Sequence, residues 1–316
     1  MKVHLLWFAG FLIALGTFIV SFRAYEDRHR LVLIRADTLS GALMWDTKLH
    51  RKSLQCCMAE GVKHFYDRLA SNYHLIFEDW DASMKRQAAA LGAILERECG
   101  APSGLRILDC ACGIGTQTLG LASLGFTVTA SDYSPASVER TRVEAAKRRL
   151  NVQVFVADML DLTEIPDKDF DAVMCMDNTF PHLESDEQLL QAATQIRRKL
   201  RAGATFMGSI RDYDSLVQER PVVQGPAFYS DQGSRRIVHQ VWDWSDERRY
   251  AFHLYITREV QGGWETQHYV SNYRAVLREE FSRILEEAGF VDCRWVLTAE
   301  SGFYQPIVLA KADSTP

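Results

Sequence analysis

No Cys-x-x-Cys pair occurs in the chain, although it carries seven cysteines, Cys56, Cys57, Cys99, Cys110, Cys112, Cys175 and Cys293. Zinc-ribbon and thioredoxin-like spacings are therefore absent. Cys110-x-Cys112 is read as two small apolar residues at a buried strand end rather than as a metal pair, and no metal site is expected. An odd count without a framework fits a reducing, cytosolic compartment. The chain also has no large charge excess, since 36 Lys and Arg against 41 Asp and Glu leave a net charge of -5. No global basic field draws in nucleic acid or acidic membrane, which leaves a small molecule as the default substrate. Repeats and low-complexity tracts are missing. A hydrophobic fraction of 47% with 24% charged residues excludes a disordered or fibrous chain. The 316 residues suit one large α/β domain, or a domain with a sizeable insertion.

The N-terminus departs from this pattern. Leu5 to Phe22 is an uncharged run of about 18 residues, near the lower limit for a membrane span. Lys2 precedes it, and Arg23, Arg28 and Arg30 follow it, which leans toward a cytoplasmic C-terminal side. No small-residue cleavage site follows. Two readings stay open: a signal-anchor through residues 5–22, or an upstream start with translation beginning at Met58. Both put the rest of the chain in the cytoplasm. The expected organisation is a hydrophobic segment and linker over 1–57, then one domain over 58–316.

From Gly61 to about Glu98 the spacing of Phe65, Leu69, Tyr73, Ile76, Phe77 and Trp80, then of Ala88, Leu91, Ile94 and Leu95, predicts helix. The breaker cluster Gly100–Gly104 follows. Strands are predicted at 105–110, 126–130, 152–157, 170–176 and 204–210. Helices alternate with them, one ended by Gly125 and one begun at Pro135. This order implies a mostly parallel, doubly wound α/β sheet. Residues 212–275 interrupt it. There 236–244, 250–260 and 264–273 predict three antiparallel strands, inserted over the active-site end. A helix at 277–288 and strands at 291–298 and 305–310 complete a seven-stranded sheet.

The first strand–helix turn, Leu108-Asp109-Cys110-Ala111-Cys112-Gly113-Ile114-Gly115-Thr116, carries the chemistry. Gly113 and Gly115 clear side chains where a ligand meets bare backbone, and the following helix offers unpaired N–H groups. A dinucleotide fingerprint needs a third glycine, and position 118 is Thr. Asp109 would repel a pyrophosphate but suits a ligand with an ammonium group, such as the methionine part of S-adenosyl-L-methionine. Asp132, with Tyr133 beside it, ends the second strand, where a carboxylate accepts ribose hydroxyls; an N-cap or turn Asp is the alternative. Asp158 and Met159 end the third strand, suited to an adenine amino group and ring, with turn chemistry as the alternative. Met176-Asp177-Asn178-Thr179-Phe180-Pro181-His182-Leu183 packs polar groups into the fourth strand exit, where α/β ligands bind. Arg211, in Arg211-Asp212-Tyr213-Asp214 at the fifth exit, offers a planar fork for a substrate carboxylate. The competing reading is a surface ion pair with Asp212 or Asp214.

With these residues the chain resembles the class I S-adenosylmethionine-dependent methyltransferases, and within them glycine N-methyltransferase and the bacterial glycine/sarcosine methyltransferases. The resemblance covers about residues 60 to 311 and rests on Leu108–Gly115, Asn178–Leu183 and Arg211–Asp214. It implies a methyl transfer from S-adenosyl-L-methionine to the amine of a small amino acid. Asn178, His182, Arg211 and Tyr66 would serve the substrate. Asp109, Cys110, Ala111, Gly113, Gly115, Asp132, Tyr133, Asp158, Met159 and Asp177 would line the cofactor. Tyr73 and Arg86 look like further counterparts, with Arg86 holding the cofactor carboxylate and Tyr255 reaching the pocket from the insert. Asp177 stands where the family often has glycine, and the insert carries Trp242, Trp244 and Trp264. A larger amine, or another small metabolite methylated at nitrogen or oxygen, is the rival reading. A protein that keeps the fold and binds the cofactor without turnover is a third.

Overall fold

The computed structural model describes residues 61–101, 104–231 and 233–314, all within the unit Cys56–Pro316. The expectations for residues 1–57, including the apolar run and the start at Met58, lie outside the described residues. Among the described residues, no helix is long and apolar enough to cross a membrane.

Seven strands form the main sheet: β1 Arg106–Cys110, β2 Thr127–Asp132, β3 Gln153–Val156, β4 Phe170–Cys175, β5 Leu200–Ser209, β10 Phe290–Val296 and β11 Ile307–Ala312. Their order is β10-β11-β5-β4-β1-β2-β3, with β11 antiparallel to both neighbours. Alternate residues point to opposite faces, and both faces are covered. Ile107, Ala172, Met174, Met207 and Leu309 meet Leu91, Ile94 and Leu95 of helix α2 (Trp80–Cys99). Leu108, Val173, Phe206 and Val308 share a core with Leu189, Ala192 and Ile196 of helix α5 (Asp186–Lys199). Burial on both faces is why these strands read as continuous apolar runs. The chain leaves β1 for β2 on one side and returns to β4 on the other. That switch point opens a crevice at the carboxyl ends of β1 and β4.

The leading helical segment is broken, not continuous. Helix α1 (Val62–Leu69) is followed by a short 3-10 turn, Tyr73–Ile76, before α2. Asp79 starts α2 by accepting a hydrogen bond from the Ala82 N–H at 2.9 Å, a side-chain N-cap. The helical period runs through this break because Tyr73, Ile76 and Phe77 also pack against the core. Helices α3 (Thr116–Ser123) and α4 (Pro135–Lys147) follow β1 and β2.

The insert holds four strands, not three: β6 Val223–Asp231, β7 Ser234–Trp244, β8 Arg249–Val260 and β9 Gly263–Arg274, in that order. β6 is an edge strand with a register shift between Gln224 and Ala227. Pro221, Gly225 and Pro226 hide it from a strand pattern, yet an edge tolerates them because one rank of N–H groups is unused. Helix α6 (Tyr213–Glu219) leads into it, and helix α7 (Arg278–Glu287) returns the chain to the main sheet. Phe65 of α1 packs edge-on against Phe252 and Tyr269, anchoring α1 to the inner face of the insert.

Candidate active site

A cavity of about 300 Å³ opens at the carboxyl ends of β1, β2 and β4. Its floor is Ala111, Cys112 and Gly113, and Thr116 and Gln117 come from the first turn of α3. Gly113 adopts φ 56°, and a side chain there would meet Tyr73 at 3.5 Å across the cavity. Gly115 has a different task. Its φ is 90°, and a Cβ would stand 2.9 Å from the Thr141 methyl, so this glycine lets α3 pack closely on α4.

Asp132 projects from the end of β2 and ties the turn together. Its Oδ2 accepts from the Gly113 N–H at 2.8 Å and its Oδ1 from the Ser134 N–H at 2.9 Å. Burial pushes its pKa up to about 6, against these two hydrogen bonds. Each carboxylate oxygen retains a further lone pair for a ligand. Tyr133, Ala157, Asp158, Met159, Leu160 and Leu183 extend the wall. The Asp158 Oδ1 accepts from the Leu160 N–H at 2.9 Å, so turn and wall roles coexist.

A second cavity, of about 600 Å³, lies between the β4 and β5 exits, α1 and the insert. Arg211 and Asn178 line it, with Trp242, Phe252, Leu254 and Tyr273 from the inner face of the insert. The Arg211 guanidinium lies 4.8 Å from the Trp242 ring centre, 5.1 Å from Phe252 and 5.2 Å from Tyr273. Its Nη1 donates to the Tyr250 hydroxyl at 2.8 Å. No carboxylate within the described residues forms an ion pair with it. Asp212 and Asp214 bind Arg278 instead, at 2.9 and 3.1 Å, which removes the surface-pair reading of Arg211. Asn178 is buried, and its Oδ1 accepts from the Arg211 N–H at 3.1 Å. Its Nδ2 is buried without a well-aligned acceptor, with the Tyr213 hydroxyl beside it.

The two cavities share Tyr66, Tyr73 and Asp177 in their walls. The Tyr66 hydroxyl lies 2.9 Å from His182 Nε2. Burial lowers the His182 pKa to about 3, opposed by a hydrogen bond to the Asn272 main chain and aided by Arg211. The ring is therefore neutral; with one nitrogen donating to that carbonyl, Nε2 accepts from Tyr66. Tyr66 and Tyr73 are held neutral by burial. Asp177 and Asn178 both have left-handed backbones, φ 59° and 67°. Asp and Asn tolerate that region better than other non-glycine residues, and here it places two adjacent side chains at the strand exit.

Most of the residues singled out from the sequence converge here. Ala111, Gly113, Asp132, Tyr133, Asp158, Met159 and His182 line the first cavity, Asn178 and Arg211 the second, and Tyr66, Tyr73 and Asp177 both. Four do not. Asp109 is buried beneath the turn, where the Thr118 hydroxyl and N–H bind its carboxylate, so it braces the start of α3 rather than meeting a ligand ammonium. Cys110 is enclosed in β1, and Gly115 is buried by packing. Arg86 is exposed on α2; the next residue, Gln87, turns inward and accepts from Gln117 at 2.8 Å. Tyr255 fails by strand parity. Phe252 and Leu254 face the cavity, while Tyr255 stacks on the other face between His239 and His268. Gln117, Leu160, Thr179, Leu183, Trp242 and Tyr304 join the walls without having been assigned a site role.

The walls of the first cavity suit S-adenosylmethionine: a carboxylate for ribose hydroxyls, an apolar slot with Asp158 at its edge, and a glycine turn open to backbone approach. Residues 107–203 match the family model described as a methyltransferase domain. A glycine/sarcosine N-methyltransferase of Aphanothece halophytica is 24% identical over 187 residues, 59% of this chain and 66% of that protein. The glycine N-methyltransferase of Rattus norvegicus is 31% identical over 137 residues, 39% of this chain and 46% of that one. The chain thus spans about half to two thirds of the length of these relatives. In fold it is similar to CalS10, an amino pentose methyltransferase from Micromonospora echinaspora, with a TM-score of 0.59, 19% identity and coverage of 73% of this chain and 92% of that one. Residues 107–203 thus carry a methyltransferase domain, and the chain has the fold of S-adenosylmethionine-dependent methyltransferases.

Proposed function

We propose that the protein methylates the amine of an amino acid of the glycine or sarcosine type, or a somewhat larger one. The observation that carries this reading is Arg211, a half-buried cation caged by aromatic rings with no carboxylate partner among the described residues. A guanidinium in such a setting is completed by an anion, and a carboxylate fits its fork. When bound, S-adenosylmethionine supplies a methyl group on a sulfonium, which a neutral amine can attack. Asp132, Asp158, Met159 and the Gly113 backbone would hold it. Arg211 fixes the substrate carboxylate. Asn178 Nδ2 binds the same group or the neighbouring amine. Tyr66, donating to the neutral His182, turns its oxygen lone pairs to an amine N–H. Positioning supplies most of the rate in such a displacement.

An acceptor panel tests this. Amino acids should be methylated, and their decarboxylated counterparts should react at least about tenfold less well, the value of one well-placed charged contact. Equal turnover of both would remove the carboxylate from the reading. A second reading, methylation of an amine on a larger metabolite, is favoured by the size of the second cavity, about 600 Å³ with Gln224 and Gln240 in its wall. CalS10, an amino pentose methyltransferase, has a similar fold. Preference for an amino sugar over every amino acid would select that reading.

A further inference from the structure

Of the three residues shared by the two cavities, Asp177 alone carries a charge. Its carboxylate is surrounded by neutral donors from separate elements. The Tyr73 hydroxyl binds Oδ2 at 3.4 Å; the Tyr304 hydroxyl and, at 3.4 Å, Gln305 Nε2 bind Oδ1. Its N–H donates to Ser209 Oγ at 2.8 Å, and that hydroxyl donates to Gln305 at 2.9 Å. The carboxylate is thus fixed in place without an ion pair to any described residue. Across the second cavity is Arg211, close enough to favour its ionised form. An acid at the cavity junction and a guanidinium deeper in the second cavity match the two poles of an amino-acid zwitterion.

We infer that Asp177 is the group that takes the proton from the acceptor's ammonium. The inference rests on the amine reading above. An amino acid arrives protonated at nitrogen and has no lone pair to offer. One N–H bond breaks, an O–H bond forms on Asp177, and the electron pair left on nitrogen becomes the lone pair that methyl transfer requires. The proton leaves through the Tyr304 hydroxyl, which bonds Oδ1 on a residue that is 49% exposed. The neighbouring titratable groups suit this task. Tyr66 and Tyr73 stay neutral through burial, as does His182, and Tyr304 through desolvation of its hydroxyl and the adjoining Asp177 charge. Arg211 opposes protonation of Asp177, while burial, the larger effect, raises its proton affinity toward that of an amine.

The test is Asp177→Asn in the full chain, with Asp177→Glu beside it. General-base catalysis is worth about 10²–10⁴-fold. The expected kcat/KM of Asp177→Asn toward the preferred amino acid is therefore lower by about 100-fold or more at pH 7, with Asp177→Glu recovering part of it. The deficit should shrink as pH rises toward the amine's own pKa, where the substrate loses its proton in solution. Calorimetric binding of S-adenosylhomocysteine should stay within a few-fold, and binding of the amino acid to that complex should weaken. If the wild type methylates an amine while Asp177→Asn keeps its rate and pH profile, the inference fails alone. A loss equal at every pH would equally overturn it, as a structural role. A wild type that methylates no amine overturns the reading beneath it as well.

Discussion

The side-chain oxygen of Asn178 accepts a hydrogen bond from the backbone N–H of Arg211 at 3.1 Å, tying the exit of β4 to the exit of β5. One amide thereby sets the position of a guanidinium on a different strand. Asn178→Ala breaks this tie and leaves the Arg211 N–H without its partner, at a cost of about 1–3 kcal/mol. Expected is a rise in the acceptor KM of tenfold or more, read by steady-state kinetics, with S-adenosylhomocysteine affinity little changed.

Arg211→Lys tests the fork rather than the charge. Lysine keeps the positive charge but cannot span a carboxylate with two parallel N–H groups or stack on Trp242 and Tyr273 in the same way. Acceptor KM should rise by about 30-fold or more, in line with the 2–5 kcal/mol of truncating a buried charged contact. Unchanged KM would show that Arg211 serves only the fold.

Asp132 links cofactor affinity to pH. Its pKa is raised to about 6 by burial, so it is ionised at pH 8 and increasingly protonated below 6. A carboxylate accepts ribose hydroxyls better than the acid does. The dissociation constant of S-adenosylhomocysteine should increase as pH falls from 7 to 5. In Asp132→Asn the affinity should be weaker and lose this dependence, measured by titration calorimetry.

Asp109 makes a stability prediction of opposite character to most carboxylates. Burial raises its pKa from the usual carboxylate range to about 7, against the Thr118 hydrogen bonds. The native state then binds more protons than the unfolded state between about pH 4 and 7, and stability falls as pH rises through that window. The slope approaches about 1.4 kcal/mol per pH unit for one such group. Asp109→Asn should remove this slope, so that its denaturation midpoint relative to wild type improves from pH 4 to pH 8. A constant difference across that range would contradict the assignment.

Much of the fold was legible because burial on both faces leaves continuous apolar strands, and Gly125 and Pro135 punctuate the helices between them. β6 was not, since an edge strand needs no strand-like sequence. The glycine turn, Asp132, Asn178 and Arg211 were legible as strand-end polar residues. Asp109 was misread because sequence spacing cannot tell a carboxylate that faces a ligand from one that caps the helix behind it. Arg86 and Tyr255 failed on direction: each is one residue from the inward-facing position, about 100° around a helix for Gln87 and the opposite face of a strand for Leu254. Trp242 was noticed as part of an aromatic insert, but only packing shows that it cages Arg211.

The most direct measurement follows an isotope-labelled methyl group from S-adenosylmethionine into an amino-acid acceptor and locates it by NMR. The account predicts that the label resides on the α-nitrogen, and that Arg211→Lys reduces its incorporation from amino acids far more than from amines that lack a carboxylate. Label on oxygen, or transfer indifferent to both the carboxylate and Arg211, would contradict it.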